Sequence, residues 1–151
     1  MIYNIKPICY NRIRSFYHNV AKKYKHTYSA SLMRQNINDA ISGMYGIEKC
    51  LLRRKPTIAR WSNFWMAKSG KWFYAYTVTK DIQGNDVVTV VDACHGQNMH
   101  EQILRAHIKQ LLENISAVSA NNEPVSLLDK RKFRNMLSNC VAGYLRDIAM
   151  L

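Results

Sequence analysis

The first sixty residues combine a short β-prone run with two helical patterns. The run from Ile2 to Lys6 ends at Pro7, which cannot donate to a neighbouring strand, and it predicts a first strand. From Tyr10 onward, apolar residues recur at the spacing of one helix face, and a second such stripe can begin behind Ser29 or Ser31 as N-cap. The predicted helical hairpin has apolar faces made of Ile13, Phe16, Tyr17, Val20, Ala21 and Tyr24, and of Met33, Ile37, Ala40, Ile41, Met44 and Ile47 or Glu48.

Three β-prone runs follow, and they predict a three-stranded antiparallel meander. The runs are Ala59 to Lys68, Lys71 to Lys80 and Val87 to Cys94. Ser69-Gly70 provides a tight turn between the first two, and residues 83–86 provide a looser one before the third. In the central run, period-two alternation puts Trp72, Tyr74 and Tyr76 on one face and Phe73, Ala75 and Thr77 on the other, and leaves open which face is inside.

The last third of the chain predicts two amphipathic helices joined by a polar linker, Ser119 to Pro124. Ser126 is the predicted N-cap of the final helix, with Asp129 three residues on. The fold class is therefore α+β, with an N-terminal strand and helical hairpin packed on a small antiparallel sheet. We expect residues 1–100 to form this domain and residues 101–151 to pack on it as a helical extension. The two stripes are Ile103, Leu104, Ile108, Leu111, Leu112 and Ile115, and Phe133, Leu137, Cys140, Val141, Tyr144 and Ile148.

Positive charge is concentrated at the N-terminal side of the chain. Of the net +12, residues 1–60 carry +10, residues 61–100 carry zero, and residues 101–151 carry +2. Such asymmetry predicts a directed field for nucleic acid or for an acidic protein. The run Arg53, Arg54 and Lys55 stands before Pro56, which ends a helix, and with Lys68 it is the predicted nucleic-acid-binding set. Tryptophans and tyrosines nearby could stack bases or form core.

Several functional classes do not fit the sequence. No apolar run approaches the length of a membrane span, and Met1 to Tyr10 lacks the apolar core of a signal peptide. The four cysteines, at positions 9, 50, 94 and 140, form no CxxC pair, so free thiols in a reducing compartment are favoured over a zinc ribbon. We expect a cytoplasmic protein that needs no cofactor.

Three stretches together resemble the RelE/ParE superfamily of bacterial toxins from type II toxin-antitoxin systems. They are the basic hairpin from Tyr10 to Leu52, the strand Lys71 to Val78, and Val87 to Gly96 with its ending Cys-His-Gly. The resemblance covers about the first 100 residues. It implies ribosome-associated mRNA cleavage, as in the RelE branch, or inhibition of DNA gyrase, as in the ParE branch, and it implies a cognate antitoxin.

The two C-terminal helices depart from these compact toxins. Their apolar stripes could pack on the meander, form a homodimer interface, or occupy the groove of an antitoxin helix. Packing within the chain is the expectation, because isolated helices are marginally stable in water.

Cleavage of RNA through its own 2′-hydroxyl needs a base, a cation for the phosphorane and an acid for the leaving oxygen. By resemblance, His95 stands where a terminal catalytic histidine often stands in the nuclease branch. The hypothesis assigns His95 as general acid or base, Arg60 as phosphorane stabiliser, and Lys71 or Tyr76 to proton transfer or substrate placement. A structural role for His95 is the competing interpretation.

Asp92, His95 and His100 suggest a metal site only weakly, and no metal is predicted. The resulting function is a toxin-like, metal-independent mRNA endoribonuclease. The alternative is a non-enzymatic protein of the same fold that binds gyrase or another acidic protein.

Overall fold

The computed structural model describes residues 1–47, 58–120 and 130–151. Within these ranges the fold is α+β, as predicted, with an N-terminal strand and helical hairpin, a meander and two C-terminal helices. In chain order the elements are β1 (Ile2–Ile5), α1 (Pro7–Lys23), α2 (Ala30–Met44), a 3-10 turn (Ala59–Trp61), β2 (Trp65–Ser69), β3 (Trp72–Lys80), β4 (Asp86–His95), α3 (Gly96–Ala120) and α4 (Lys130–Ala149).

The starts of the first two helices follow from local chemistry. Pro7 occupies the first turn of α1, where its missing N–H costs no helical hydrogen bond. The Ser29 hydroxyl accepts a hydrogen bond from the Leu32 backbone N–H at 3.1 Å, so Ser29 rather than Ser31 is the N-cap of α2.

The sheet has the order β1-β4-β3-β2. β2, β3 and β4 pair antiparallel, which confirms the predicted meander. β1 pairs parallel with β4, from Ile2 opposite Val87 to Ile5 opposite Val90. The sheet is therefore mixed rather than antiparallel. A parallel pair needs a long crossover connection, and α1 and α2 lie within it.

The first β-prone run was predicted as one strand from Ala59, and this is wrong at its start. Ala59–Trp61 form a 3-10 turn, and β2 begins only at Trp65. The cause is tertiary, because the Trp61 ring is buried and its indole N–H donates to the Asp92 carboxylate at 2.9 Å. Asp92 lies 31 residues further along the chain, so the local pattern that predicted a strand does not reveal this contact.

A β-bulge interrupts the β3–β4 ladder. Ala75 lies opposite Asp92 but Tyr76 lies opposite Val90, so Val91 is the extra residue of β4. Simple alternation from Val90 would put Asp92 on the same face. The bulge instead returns Ala93 to the face of Val90, and places Asp92 on the other.

The main core lies between the two N-terminal helices and one face of the sheet. Trp72, Tyr74 and Tyr76 are inside it, packed with residues of α1 and α2 such as Ile13 and Met44. The Tyr74 hydroxyl donates to the Ala40 carbonyl at 2.7 Å, which satisfies its buried polar end. The opposite face of β3 is buried as well, including Phe73 and Ala75. The sequence left open which face of β3 is inside, and the structure buries both faces.

The described chain divides into two compact units, Met1–Met99 and His100–Leu151. The second unit holds most of α3 and all of α4. Its two helices meet where His107 Nε2 lies 2.6 Å from the Asp147 carboxylate, and where Gly143 leaves room for the His107 ring. The predicted linker from Ser119 to Pro124, apart from the last residues of α3, and the predicted N-cap at Ser126 lie outside the described residues.

Candidate functional site

A pocket of about 410 Å³ lies in the first unit, where α1 and α2 meet the β2–β3 turn and the end of β4. Aromatic rings, one lysine, one carboxylate and one imidazole share it. Its lining residues include Phe16, Tyr17, Tyr28, Asp39, Lys71, Trp72 and His95.

The His95 ring is held by aromatic neighbours. It stacks on Phe16 with a centroid distance of 4.0 Å and an interplanar angle of 15°. Trp72 meets it edge-on, at 5.4 Å and 87°. His95 reaches this position because the β4 bulge restores the last residues of the strand to the helix-covered face.

The His95 imidazole also caps α3. Its Nδ1 accepts a hydrogen bond from the Gln97 backbone N–H at 3.2 Å, one residue inside the helix. Burial lowers the pKa of His95 below its usual 6.5, and the Lys71 charge lowers this pKa further. The ring is therefore neutral at pH 7, with its proton on Nε2. In this state His95 can donate a hydrogen bond to a ligand from Nε2.

Lys71 lies at the same end of the sheet as His95. The Lys71 carbonyl accepts a hydrogen bond from the Gly96 backbone N–H at 2.8 Å, and Trp72 is paired with His95 in the ladder. A Cβ at Gly96 would lie 3.3 Å from the same carbonyl, so glycine permits this close approach. The start of β3 and the start of α3 are thereby tied together.

Tyr17 supplies a further polar group to the pocket. Its hydroxyl accepts a hydrogen bond from the Trp72 indole N–H at 3.0 Å. Burial raises the pKa of Tyr17 above its usual 10, against the opposing effect of that hydrogen bond. The phenol stays protonated at neutral pH and can donate. Helical spacing predicted Phe16 and Tyr17 only as residues of an apolar helix face, although two adjacent aromatic residues on one helix turn are a signal present in the sequence.

Arg60 lies elsewhere, at Asp92. The register of β4 puts Asp92 on the opposite face of the sheet from His95. Arg60 Nε is 3.5 Å from Asp92 Oδ2, and Arg12 Nε is 2.7 Å from Asp92 Oδ1. Arg12 was not singled out from the sequence, because nothing local connects a residue of α1 to a carboxylate 80 positions away.

The remaining predicted site residues do not join the pocket. Tyr76 is only 7% exposed and belongs to the core cluster. Lys68 is exposed on β2, with its ammonium 5.3 Å from the centroid of the Phe73 ring across the ladder. The basic run Arg53, Arg54 and Lys55 lies outside the described residues. The structure therefore brings His95 and Lys71 together, and separates them from Arg60 and Tyr76.

The weak metal-site alternative is not formed by the described residues. Asp92 faces away from His95, and its carboxylate accepts hydrogen bonds from Trp61 and from the Ala93 backbone in addition to its ion pairs. In the part of the chain that the structure describes, no three histidine, cysteine, aspartate or glutamate residues are grouped as metal ligands.

No helix within the described ranges is both long and apolar enough to cross a bilayer. Comparison with protein-family models, with curated proteins and with solved structures finds no match to this chain.

Proposed function

We propose that this chain is a toxin-like protein of the RelE/ParE type that acts on RNA, and that the His95 pocket receives the RNA. The observation that carries the proposal is the union of stacked aromatic rings, a lysine and a neutral imidazole donor in one cavity. Proteins that bind single-stranded RNA use aromatic rings for the bases and cations for the phosphates.

Each polar group has a stated role in binding. Lys71 is exposed and contacts a phosphate as a point charge. His95 donates from Nε2 to a phosphate or base acceptor, and the Tyr17 hydroxyl donates from inside the pocket. The volume of about 410 Å³ falls in the range of small-molecule sites, so one nucleotide rather than a duplex enters.

Metal-independent mRNA cleavage is the stronger form of this proposal. A base then takes the proton of the 2′-hydroxyl, the 2′-oxygen bonds to phosphorus, and Lys71 neutralises the phosphorane. The bond from phosphorus to the 5′-oxygen breaks, and this oxygen leaves with a proton, so the products are a 2′,3′-cyclic phosphate and a 5′-hydroxyl. The neutral His95 tautomer opposes the predicted role as that base, because Nε2 already carries a proton while Nδ1 caps α3. Cleavage by His95 therefore requires the cap hydrogen bond to break.

Binding without cleavage is the second candidate, and the positions of the four predicted catalytic residues favour it. His95 and Lys71 lie at the pocket, Tyr76 lies in the core, and Arg60 is paired with Asp92. A protein that only binds RNA does not need these four side chains to meet at one site.

A binding and cleavage assay separates the two candidates. Full-length protein is titrated with a fluorescent single-stranded 12-mer RNA in EDTA, and the products are examined for 2′,3′-cyclic phosphate. Lys71→Gln is the test variant, and Lys80→Gln, at the other end of β3, is the charge-matched control. We expect Lys71→Gln to weaken binding and reduce the salt slope by about 1, and Lys80→Gln to do less.

The outcomes are distinct. Bound RNA that is cut supports the endoribonuclease, and bound RNA that stays intact supports the non-enzymatic candidate. Equal effects of the two lysine variants would show that only diffuse charge is involved, and would overturn the pocket. Induction of the full chain in bacteria tests the toxin assignment; arrested replication with intact messages would indicate the gyrase branch instead.

A further inference from the structure

Two arginines that are far apart in sequence share one buried carboxylate. Asp92 is 8% exposed, and its oxygens are approached by Arg12 Nε at 2.7 Å and by Arg60 Nε at 3.5 Å. Trp61 and the Ala93 backbone N–H each donate to it at 2.9 Å. Two of these contacts are hydrogen bonds and two are ion pairs, so four N–H-bearing groups surround the carboxylate.

Both arginine side chains remain partly in solvent. The Arg12 and Arg60 side chains are 42% and 39% exposed. Their closest contacts with Asp92 use Nε, and a guanidinium has five N–H donors, so each arginine has donors beyond the one nearest the carboxylate. The Arg60 guanidinium also lies 5.6 Å from the centroid of the Trp61 ring, which further restricts it.

The charges of this cluster do not balance. One arginine neutralises Asp92, so the second leaves a net +1 at two guanidinium groups held by the same carboxylate. A purely structural ion pair needs neither the second arginine nor its exposure. Planar guanidinium donors held in fixed positions match the geometry of phosphate oxygens.

We propose that Arg12 and Arg60, positioned by Asp92, form a binding site for a backbone phosphate of RNA. This site is separate from the pocket, since Asp92 and His95 lie on opposite faces of the sheet. The two are three residues apart on β4, about 10 Å at the rise of a strand. The proposal rests on RNA being the ligand and does not depend on cleavage.

Arginine variants give the first test. Arg12→Gln and Arg60→Gln are compared with Arg14→Gln, a control that removes the same charge from α1 beside Tyr10. The probes are the single-stranded 12-mer RNA, by fluorescence anisotropy, and inorganic pyrophosphate, by thermal shift. We expect each test variant to weaken RNA binding about 10-fold and to abolish the pyrophosphate shift, in the manner of a lost charge-assisted contact. The control should retain the shift.

Asp92→Asn gives the sharper test, because charge and positioning predict opposite signs. Removal of a negative charge alone would tighten binding of RNA. Loss of the carboxylate that positions both arginines should weaken it, although the net charge of the chain rises by one. Tighter binding by a folded Asp92→Asn protein would overturn the positioning role. Where this variant fails to fold, as loss of a buried charge partner can cause, the arginine variants decide.

The result also distinguishes this site from the pocket. Loss of affinity in Lys71→Gln, with unchanged affinity in both arginine variants, would overturn the arginine site and keep the pocket. The reverse pattern would keep the arginine site and overturn the pocket. Absence of any RNA binding by the wild-type chain would overturn both.

Discussion

His95 has two separable structural contacts, and paired substitutions can measure each. His95→Phe keeps a ring against Phe16 but removes the Nδ1 acceptor for the Gln97 N–H. His95→Asn keeps an acceptor suited to an N-cap but removes the stacked ring. We expect each variant to unfold more easily than wild type, for different reasons.

The expected losses follow from the two contacts. Loss of a helix cap costs about 1 kcal/mol, at the lower end here because the hydrogen bond is exposed and water can replace it. Loss of the ring stacked at 4.0 Å costs about 0.5–1.5 kcal/mol, in addition to the free energy lost with its buried apolar area. The two variants should therefore be destabilised by similar amounts at pH 7.5.

The pH dependence distinguishes a titrating His95 from a passive one. The folded-state pKa of His95 is lowered, so the unfolded chain takes up this proton near pH 6.5 before the folded chain does. The stability contributed by the neutral ring is present above pH 6.5. It is lost as the pH falls through 6.5 towards the folded-state pKa. The gap between wild type and either variant should shrink from pH 7.5 to pH 5.5.

Urea unfolding followed by tryptophan fluorescence measures this gap. The three tryptophans, at positions 61, 65 and 72, lie in the first unit and report on the pocket region. A gap that stays constant between the two pH values would refute the assignment of a neutral, buried imidazole. A destabilised His95→Phe with an unaffected His95→Asn would show that the cap, and not the stack, is the significant contact.

Three further predictions concern other parts of the chain. Gly143→Ala should cost about 1 kcal/mol by thermal unfolding, since its Cβ would lie 2.8 Å from His107 Cε1 and overpacking exceeds the gain in helix propensity; adding His107→Ala should relieve the clash. Burial raises the pKa of Cys9 to about 11, so native protein at pH 8 should be alkylated at Cys140 and not at Cys9, as mass spectrometry will show; rapid labelling of Cys9 would contradict this. Tyr74→Phe should lower the free energy of unfolding by about 1–2 kcal/mol, because a buried carbonyl of α2 loses its 2.7 Å donor, and an unchanged urea midpoint would count against that contact.

Local signals in the sequence predicted much of the fold. Ser29 caps α2 because its hydroxyl meets a backbone N–H three residues on, and Gly70 adopts a φ of +60° in the tight turn. The apolar stripes predicted α1 and α2 because helical spacing fixes which residues share a face. These features depend on residues within a few positions of one another.

Features that depend on distant partners were not predictable in the same way. The parallel pairing of β1 with β4 and the 3-10 turn at Trp61 both require contacts absent from any local window. The candidate site shows the same division. His95 was selected from the resemblance and Lys71 from its place on the neighbouring strand, whereas the meeting of Arg12 with Asp92 depends on where α1 lies after folding.

The bulge at Val91 makes the position of His95 depend on a count of residues. Removal of Val91, with the rest of the ladder kept, would close the bulge and leave Asp92 opposite Ala75 and His95 opposite Trp72, each on its present face. Removal of a regularly paired residue between them, such as Ala93, would instead shift the alternation by one and move His95 to the face of Asp92. The imidazole would then leave the aromatic pocket. A single codon gained or lost after Asp92 is therefore more damaging to the pocket than most substitutions within it, and relatives that keep His95 in the pocket should keep the length of β4 beyond the bulge before they keep its composition.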